Sequence, residues 1–154
     1  MKRLFLLFFL LPLFFSAQLR LSNIYELYNM KTENIDEYAI NGLGFKKIGE
    51  NDALYSVEKE FYNGKNSFKE TIYIKLISPK IFDKNIVTIR MGNEYSVQNL
   101  KSELITDGFE YMGDKELYSG YFVHLYTKPN TIIMISKKPN ANSLYEINIV
   151  KREN

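Results

Sequence analysis

Segments in which apolar and polar residues alternate follow one another at short intervals, and this spacing limits the folds open to the chain. Residues 86–91 and 144–151 show the alternation, and the apolar-rich segments 117–127 and 131–137 lie at similar intervals. Parallel strands need connections of a dozen or more residues, and most intervals here are shorter. The pattern therefore predicts a mainly antiparallel β-meander with helices on one face, an α+β fold.

A hairpin is predicted around Asn63-Gly64, because this dipeptide favours a two-residue type I′ turn. That turn would join a strand over residues 55–61 to a return strand and place Glu58 opposite Lys69. The return strand is expected to bury Phe68, Ile72, Ile74 and Leu76.

Helical spacing of apolar residues precedes each group of strands. One helical region starts near Asn23 and has a second start at Asn34, as one bent helix or two short ones. The other region starts at Ser96, a good N-cap, and ends at Gly108.

The amino-acid sequences that follow the two predicted helical regions are similar to each other. Residues 44–50 match residues 108–114, with Gly, Phe and Gly retained at the same positions. Self-similarity at a fixed period is typical of repeated units. The sequence thus predicts two α-β-β-β units, about 21–91 and 93–152, within one α+β domain over residues 18–154.

Both faces of segment 117–127 are apolar or aromatic, which is typical of a central or doubly covered strand. Tyrosine and phenylalanine suit protein interfaces when they are exposed, and they suit a core when they are not. Both interpretations stay open for the candidate binding residues Tyr118, Tyr121, Phe122 and Tyr126.

The first residues are typical of a cleaved secretory signal peptide, residues 1–17. Lys2 and Arg3 precede an apolar run over residues 4–15, which ends at Ser16-Ala17. A run of this length is too short to span a bilayer as a helix, although an anchor or a buried helix are alternatives. We expect a periplasmic or secreted protein with no integral membrane span after signal removal.

The remaining chain carries 18 basic and 18 acidic residues, since Lys2 and Arg3 leave with the signal. A neutral balance does not favour nucleic-acid binding, which needs a basic surface. The chain has no cysteine, so disulfides, thiol nucleophiles and zinc thiolates are excluded.

Catalytic patterns are sparse. His124 is the single histidine, and one titratable group is not a catalytic constellation. Ser56 and Lys59 match the S-x-x-K pattern, but a strand would point them to opposite faces. The acidic segments 50–52 and 114–116 are expected to be solvated loops rather than calcium sites. We expect no catalytic residue, metal or cofactor.

The segment Phe14-Phe15-Ser16-Ala17-Gln18 resembles signal peptides of Bacteroidota such as flavobacteria. The helix-Gly-Phe-strand pattern around Gly44-Phe45 and Gly108-Phe109 resembles small secreted proteins of that group whose function is unassigned. The resemblance implies a periplasmic or secreted home and assigns no functional residue.

Three functions follow as hypotheses. The first is a non-enzymatic interaction module that binds a protein of the cell envelope or the exterior. The second is a small-ligand or glycan binder with a pocket between helices and sheet. The third is a small hydrolase that uses two carboxylates.

Overall fold

The computed structural model describes residues 19–152, and the predicted signal peptide, residues 1–17, lies outside this range. Eight strands form one antiparallel sheet in the order β1-β2-β3-β4-β8-β7-β6-β5. The strands are β1 (Lys46–Asp52), β2 (Ser56–Tyr62), β3 (Ile72–Pro79), β4 (Ile86–Met91), β5 (Glu110–Tyr118), β6 (Tyr121–Lys128), β7 (Thr131–Ser136) and β8 (Tyr145–Lys151). The predicted α+β class and antiparallel sheet are confirmed.

The first helical region is broken into short pieces. Helix α1 covers Leu21–Asn29, and a 3-10 turn over Thr32–Asn34 leads into α2 (Ile35–Glu37) and a π-helical turn over Tyr38–Gly42. Helix α3 (Glu94–Thr106) is regular and lies between β4 and β5 in the chain.

Helix starts differ from the prediction by about one turn. Asn23 is not the N-cap of α1, since its side-chain oxygen accepts a hydrogen bond from the backbone N–H of Arg20 at 3.0 Å. Asn93 rather than Ser96 caps α3, because the Asn93 side chain accepts from the Ser96 N–H at 3.2 Å.

The core lies between the helices and one face of the sheet. Buried residues of α1 and α3 pack with the inward residues of six strands, β2, β3, β4, β6, β7 and β8. Asn85 ties α1 to the β3–β4 turn, as its buried amide donates to the carbonyls of Leu27 at 2.6 Å and Met30 at 2.8 Å. The opposite face of the sheet contacts no helix in the part of the chain that the structure describes.

Strands β1 and β5 form the two edges of the sheet. The acidic segments 50–52 and 114–116, which the sequence predicts to be loops, lie within these two strands. Four strands therefore follow each helical region, where the sequence predicted three. Register shifts interrupt both edges, between Lys47 and Gly49 and between Tyr111 and Asp114. Most residues of these strands are exposed or half-buried, so their sequences lack the apolar alternation that reveals inner strands.

The predicted register of the first hairpin is wrong. Strand β2 pairs Phe61 with Ile74 and Tyr62 with Tyr73, which leaves residues 63–71 as a loop. The Asn63 side chain closes this loop by accepting from the Ile72 N–H at 3.1 Å. Burial of Ile74 beside Phe61 outweighs the local turn preference, because core burial is worth more than one turn type. Phe68 is exposed in the loop.

The predicted strand 117–127 is two strands. A hairpin turn at Ser119-Gly120 separates β5 from β6, and Gly120 adopts φ +77, a left-handed conformation that favours glycine. Tyr118 is therefore paired with Tyr121 across the turn. The predicted turn at Pro129-Asn130 and the strands β4, β7 and β8 agree with the prediction within a residue or so.

Gly92 is the glycine whose replacement we expect to destabilise the fold most. An added Cβ would lie 1.8 Å from the Phe68 carbonyl oxygen, inside any allowed contact. Gly92→Ala should lower the free energy of unfolding by about 1–3 kcal/mol, the usual cost of overpacking, measured by urea denaturation. In the control Gly49→Ala the Cβ would contact Glu60 at an ordinary 3.6 Å, so a change below about 0.5 kcal/mol is expected. Equal stability of the two variants would contradict the packing at Gly92.

Candidate functional site

The four predicted binding residues do not share one surface. Tyr118 and Tyr121 lie on the face of the sheet that no described helix covers, whereas Phe122 and Tyr126 lie on the helix face, because side chains alternate along β6. Tyr126 is 6% exposed and belongs to the core, whereas Phe122 is 43% exposed and lines one pocket together with Tyr118 and Tyr121. The structure therefore brings Tyr118, Tyr121 and Phe122 together at one end of the sheet and leaves Tyr126 apart.

The two tyrosines form a stacked pair. Their ring centroids are 4.7 Å apart and the ring planes differ by 4°. The hairpin turn positions them, since the Gly120 N–H donates to the Glu116 carboxylate at 2.9 Å and holds the turn closed. Burial, then the nearby Glu146 carboxylate, raises the pKa of Tyr121 to about 12, so its hydroxyl is protonated and able to donate.

A polar network occupies the centre of the uncovered face. The Glu146 carboxylate accepts from Arg90 Nε at 2.9 Å, from Asn148 Nδ2 at 3.1 Å and from the Tyr121 hydroxyl at 3.5 Å. Burial alone would raise the pKa of Glu146, but the hydrogen bonds from Arg90 and Asn148 outweigh it and lower the pKa. Glu146 is therefore an ionised, partly buried acceptor.

Lys75, near the middle of β3 on the same face, is also paired. Lys75 lies 2.8 Å from Glu58 and 3.3 Å from Glu60. The hydrogen bonds that Lys75 donates to these carboxylates raise its pKa. The central part of the face consequently carries two cations and three carboxylates that are paired within the molecule.

Apolar side chains run across the same face from β3 to β6. Register pairs place Ile77 beside Ile86, Val150 beside Ile132, and Met134 beside Leu125. Val87 on β4 is paired with Ile149 on β8, and Ile86 precedes Val87 while Val150 follows Ile149. We call these six residues the apolar belt: Ile77, Ile86, Val150, Ile132, Met134 and Leu125. Ile86 is 36% exposed and the others are half-buried by their neighbours.

Sequence reasoning missed the apolar belt, although a signal for it was present. Strand β7 carries Ile132 and Met134 at positions that alternation assigns to the polar face, between the core residues Ile133 and Ile135. An antiparallel sheet with one solvated face normally shows clean alternation. The break in alternation identifies the belt once strand positions are known.

A pocket of about 460 Å³ lies where the β5–β6 hairpin meets the β7–β8 loop. Residues that matter for its chemistry are Tyr118, Tyr121, Ser136, Lys138, Asn140 and Glu146. The pocket thus lies at one end of the uncovered face, beside the stacked tyrosines, and not between helices and sheet as the ligand-binding hypothesis had expected.

His124 has partners that the sequence alone could not show. On the helix face its Nδ1 lies 2.8 Å from Asp114 Oδ1 and 3.2 Å from the Tyr111 hydroxyl. Lys137 and Tyr111 both donate to Asp114 and hold its pKa well below the usual range. The same bond raises the pKa of Tyr111 to about 12. This cluster pins edge strand β5 to β6, and Asp114 lies in a strand rather than in the predicted loop.

The S-x-x-K pattern has no catalytic arrangement. Lys59 is buried on the helix face and donates to Asp36 at 2.9 Å, while Ser56 and Lys59 occupy opposite faces of β2. Over residues 19–152, no group of three or more metal-ligating side chains is close enough to hold a metal ion. The helices of that same range are too short or too polar to cross a bilayer.

Comparison of the chain with protein-family models, with curated proteins and with solved structures found no match.

Asp114 should make folding stability depend on pH in acid. Its folded pKa lies below the unfolded value of about 3.9, so the unfolded chain binds more protons between the two values, and stability falls as the pH falls through that window. Asp114→Asn should flatten the decline of the melting temperature between about pH 5 and about pH 2. Tyr111→Phe removes one hydrogen bond to Asp114 and should give an intermediate slope. A slope in Asp114→Asn as steep as that of the wild type would contradict the assignment.

Proposed function

We propose that this chain is a non-enzymatic, exported protein-interaction module of the bacterial cell envelope or exterior, and that the uncovered face of its sheet binds a partner protein. The apolar belt carries this proposal. Contiguous apolar surface on a soluble protein marks interaction sites, and these side chains sit where a solvated sheet face would be polar.

Charge on the face indicates the chemistry of the partner. Arg90 is paired with Glu146, and Lys75 with Glu58 and Glu60. These side chains already pair with one another, and exposed ion pairs are worth only about 0–1 kcal/mol each, so charge contributes little to binding at the centre of the face. The partner therefore presents an uncharged, apolar surface to the belt, with Tyr121 at its margin supplying an aromatic contact.

Internal duplication accounts for the width of this surface. Gly44 and Gly108 both adopt left-handed φ angles, +73 and +83, and the following Phe45 and Phe109 are both buried. Each half is a helical region followed by a four-stranded meander, and the halves meet at β4 and β8. A single unit would offer half the face, so duplication doubles the area available to a partner.

Export is supported by the sequence of residues 1–17, with its basic start, apolar run and small residues before the proposed cut. We expect the protein recovered from the periplasm or medium of its host to begin at Gln18, by N-terminal sequencing. Leu7→Arg interrupts the apolar run and should retain an uncut chain in the cytoplasm. An intact start at Met1 on exported protein would contradict cleavage.

Cross-linking from the belt tests the interaction. A photo-reactive amino acid at Ile86 should give a discrete cross-linked protein in the envelope fraction of the native host. The matched control is the same amino acid at Gln98, an exposed position on α3, which should give none. Identical products from both positions, or none from Ile86, would contradict binding through the uncovered face.

Affinity of the identified partner then provides the quantitative test. Ile86→Lys places an unpaired charge in the belt and should weaken binding at least about tenfold, or about 1.4 kcal/mol, in titration calorimetry. Gln98→Lys should bind as the wild type does. Circular dichroism and the melting temperature of both variants establish that the fold is retained, so unchanged affinity in Ile86→Lys would exclude the belt from the interface.

A further inference from the structure

The pocket beside the stacked tyrosines has a distinct aromatic wall. Tyr118 is covered on one ring face by Tyr121, at 4.7 Å and nearly parallel, yet it remains 65% exposed. Its outer ring face is therefore free. A rigid ring face of this kind attracts the C–H bonds of a flat, non-aromatic ring, because the face of an aromatic ring carries partial negative charge.

Polar groups in the pocket divide into an acceptor and two donors. Glu146 is the acceptor, ionised and held in place by Arg90 at 2.9 Å and Asn148 at 3.1 Å. Lys138 is a cation that has no ion-pair partner among residues 19–152, whereas its neighbour Lys137 is engaged with Asp114. Asn140 uses its side-chain oxygen to accept from the N–H groups of Asn142 and Leu144, so its amide donors are available.

These groups together select a ligand that has three properties. Glu146 requires hydroxyl or N–H donors, and it repels a bare anion such as phosphate. Lys138 and the Asn140 amide favour a carboxylate. The outer face of Tyr118 favours a ring with a C–H surface. A volume of about 460 Å³ holds a ligand of one or two sugar rings.

We propose that this pocket binds a hexuronate, a sugar ring that bears a carboxylate. The ring stacks on Tyr118, its hydroxyls donate to Glu146, and its carboxylate lies against Lys138 and Asn140. The ligand is either a free acidic sugar or the terminal residue of an acidic polysaccharide, since both present the same ring. This site goes beyond the proposed protein interaction, which depends on the apolar belt.

Chemical-shift titration of the isotope-labelled exported protein tests the proposal. The probes are glucuronate, glucose, and a disaccharide that ends in glucuronate. Glucuronate should shift the amide signals of Gly120 and Asn140, with a dissociation constant on the order of 1 mM, and glucose should bind about tenfold more weakly. Tighter binding of the disaccharide would indicate a polysaccharide end, and equal binding would indicate the free sugar.

Substitutions at three exposed positions test the contacts between the sugar and the pocket. Lys138→Gln should abolish the preference for glucuronate over glucose while glucose binding is unchanged. Tyr118→Ala should weaken both sugars at least fivefold. Lys80→Gln, at an exposed lysine in the β3–β4 turn near the opposite end of the sheet, is the matched control and should bind as the wild type does.

The proposal is overturned by the absence of shifts in these signals with glucuronate, or by a dissociation constant that is unchanged in Tyr118→Ala. It is also overturned if glucose binds as tightly as glucuronate in the wild type. Because Ile86→Lys leaves the pocket intact, it should retain sugar binding. Loss of the sugar site and loss of the protein interaction are therefore distinguishable.

Discussion

The pairing of β4 with β8 is the contact on which the rest of the structure depends. It places Val87 opposite Ile149 and Ile89 opposite Ile147, all almost completely buried. The two four-stranded meanders meet there, so their inward faces form one core that both α1 and α3 cover. Without this seam each half would expose the flank of its own core, and neither half has a disulfide to compensate. The apolar belt exists for the same reason, since it crosses the seam.

Inner strands were predictable and edges were not. The sequences of β4 and β8 alternate because one face of each strand is in the core, and β7 is recognisable as a short run of apolar residues. Strands β1 and β5 gain much of their order from hydrogen bonds to a single neighbour, which any residue can make, so their sequences look like polar loops. The β2–β3 hairpin shows a second limit. Asn63-Gly64 favours a tight turn locally, yet long-range burial of Ile74 fixed a wider loop.

The sequence predicted the type of residue at the candidate site, but not the face of the sheet on which each residue lies. Tyrosines near residue 120 were recognised as interface residues, and two of the four selected lie on the uncovered face. The hairpin at Ser119-Gly120 decided the outcome, because it moved Tyr118 to the strand opposite Tyr121. The polar partners Arg90 and Glu146 lie 56 positions apart in the chain, and no local spacing relates them. Such contacts follow from strand order, which a single sequence specifies only weakly.

The interrupted registers of β1 and β5 have a consequence for how the molecule can associate. Each edge offers a broken row of backbone donors and acceptors, so an incoming strand cannot pair along its full length. Addition of further strands in the plane of the sheet, the route to fibrous polymers, is therefore disfavoured at both edges.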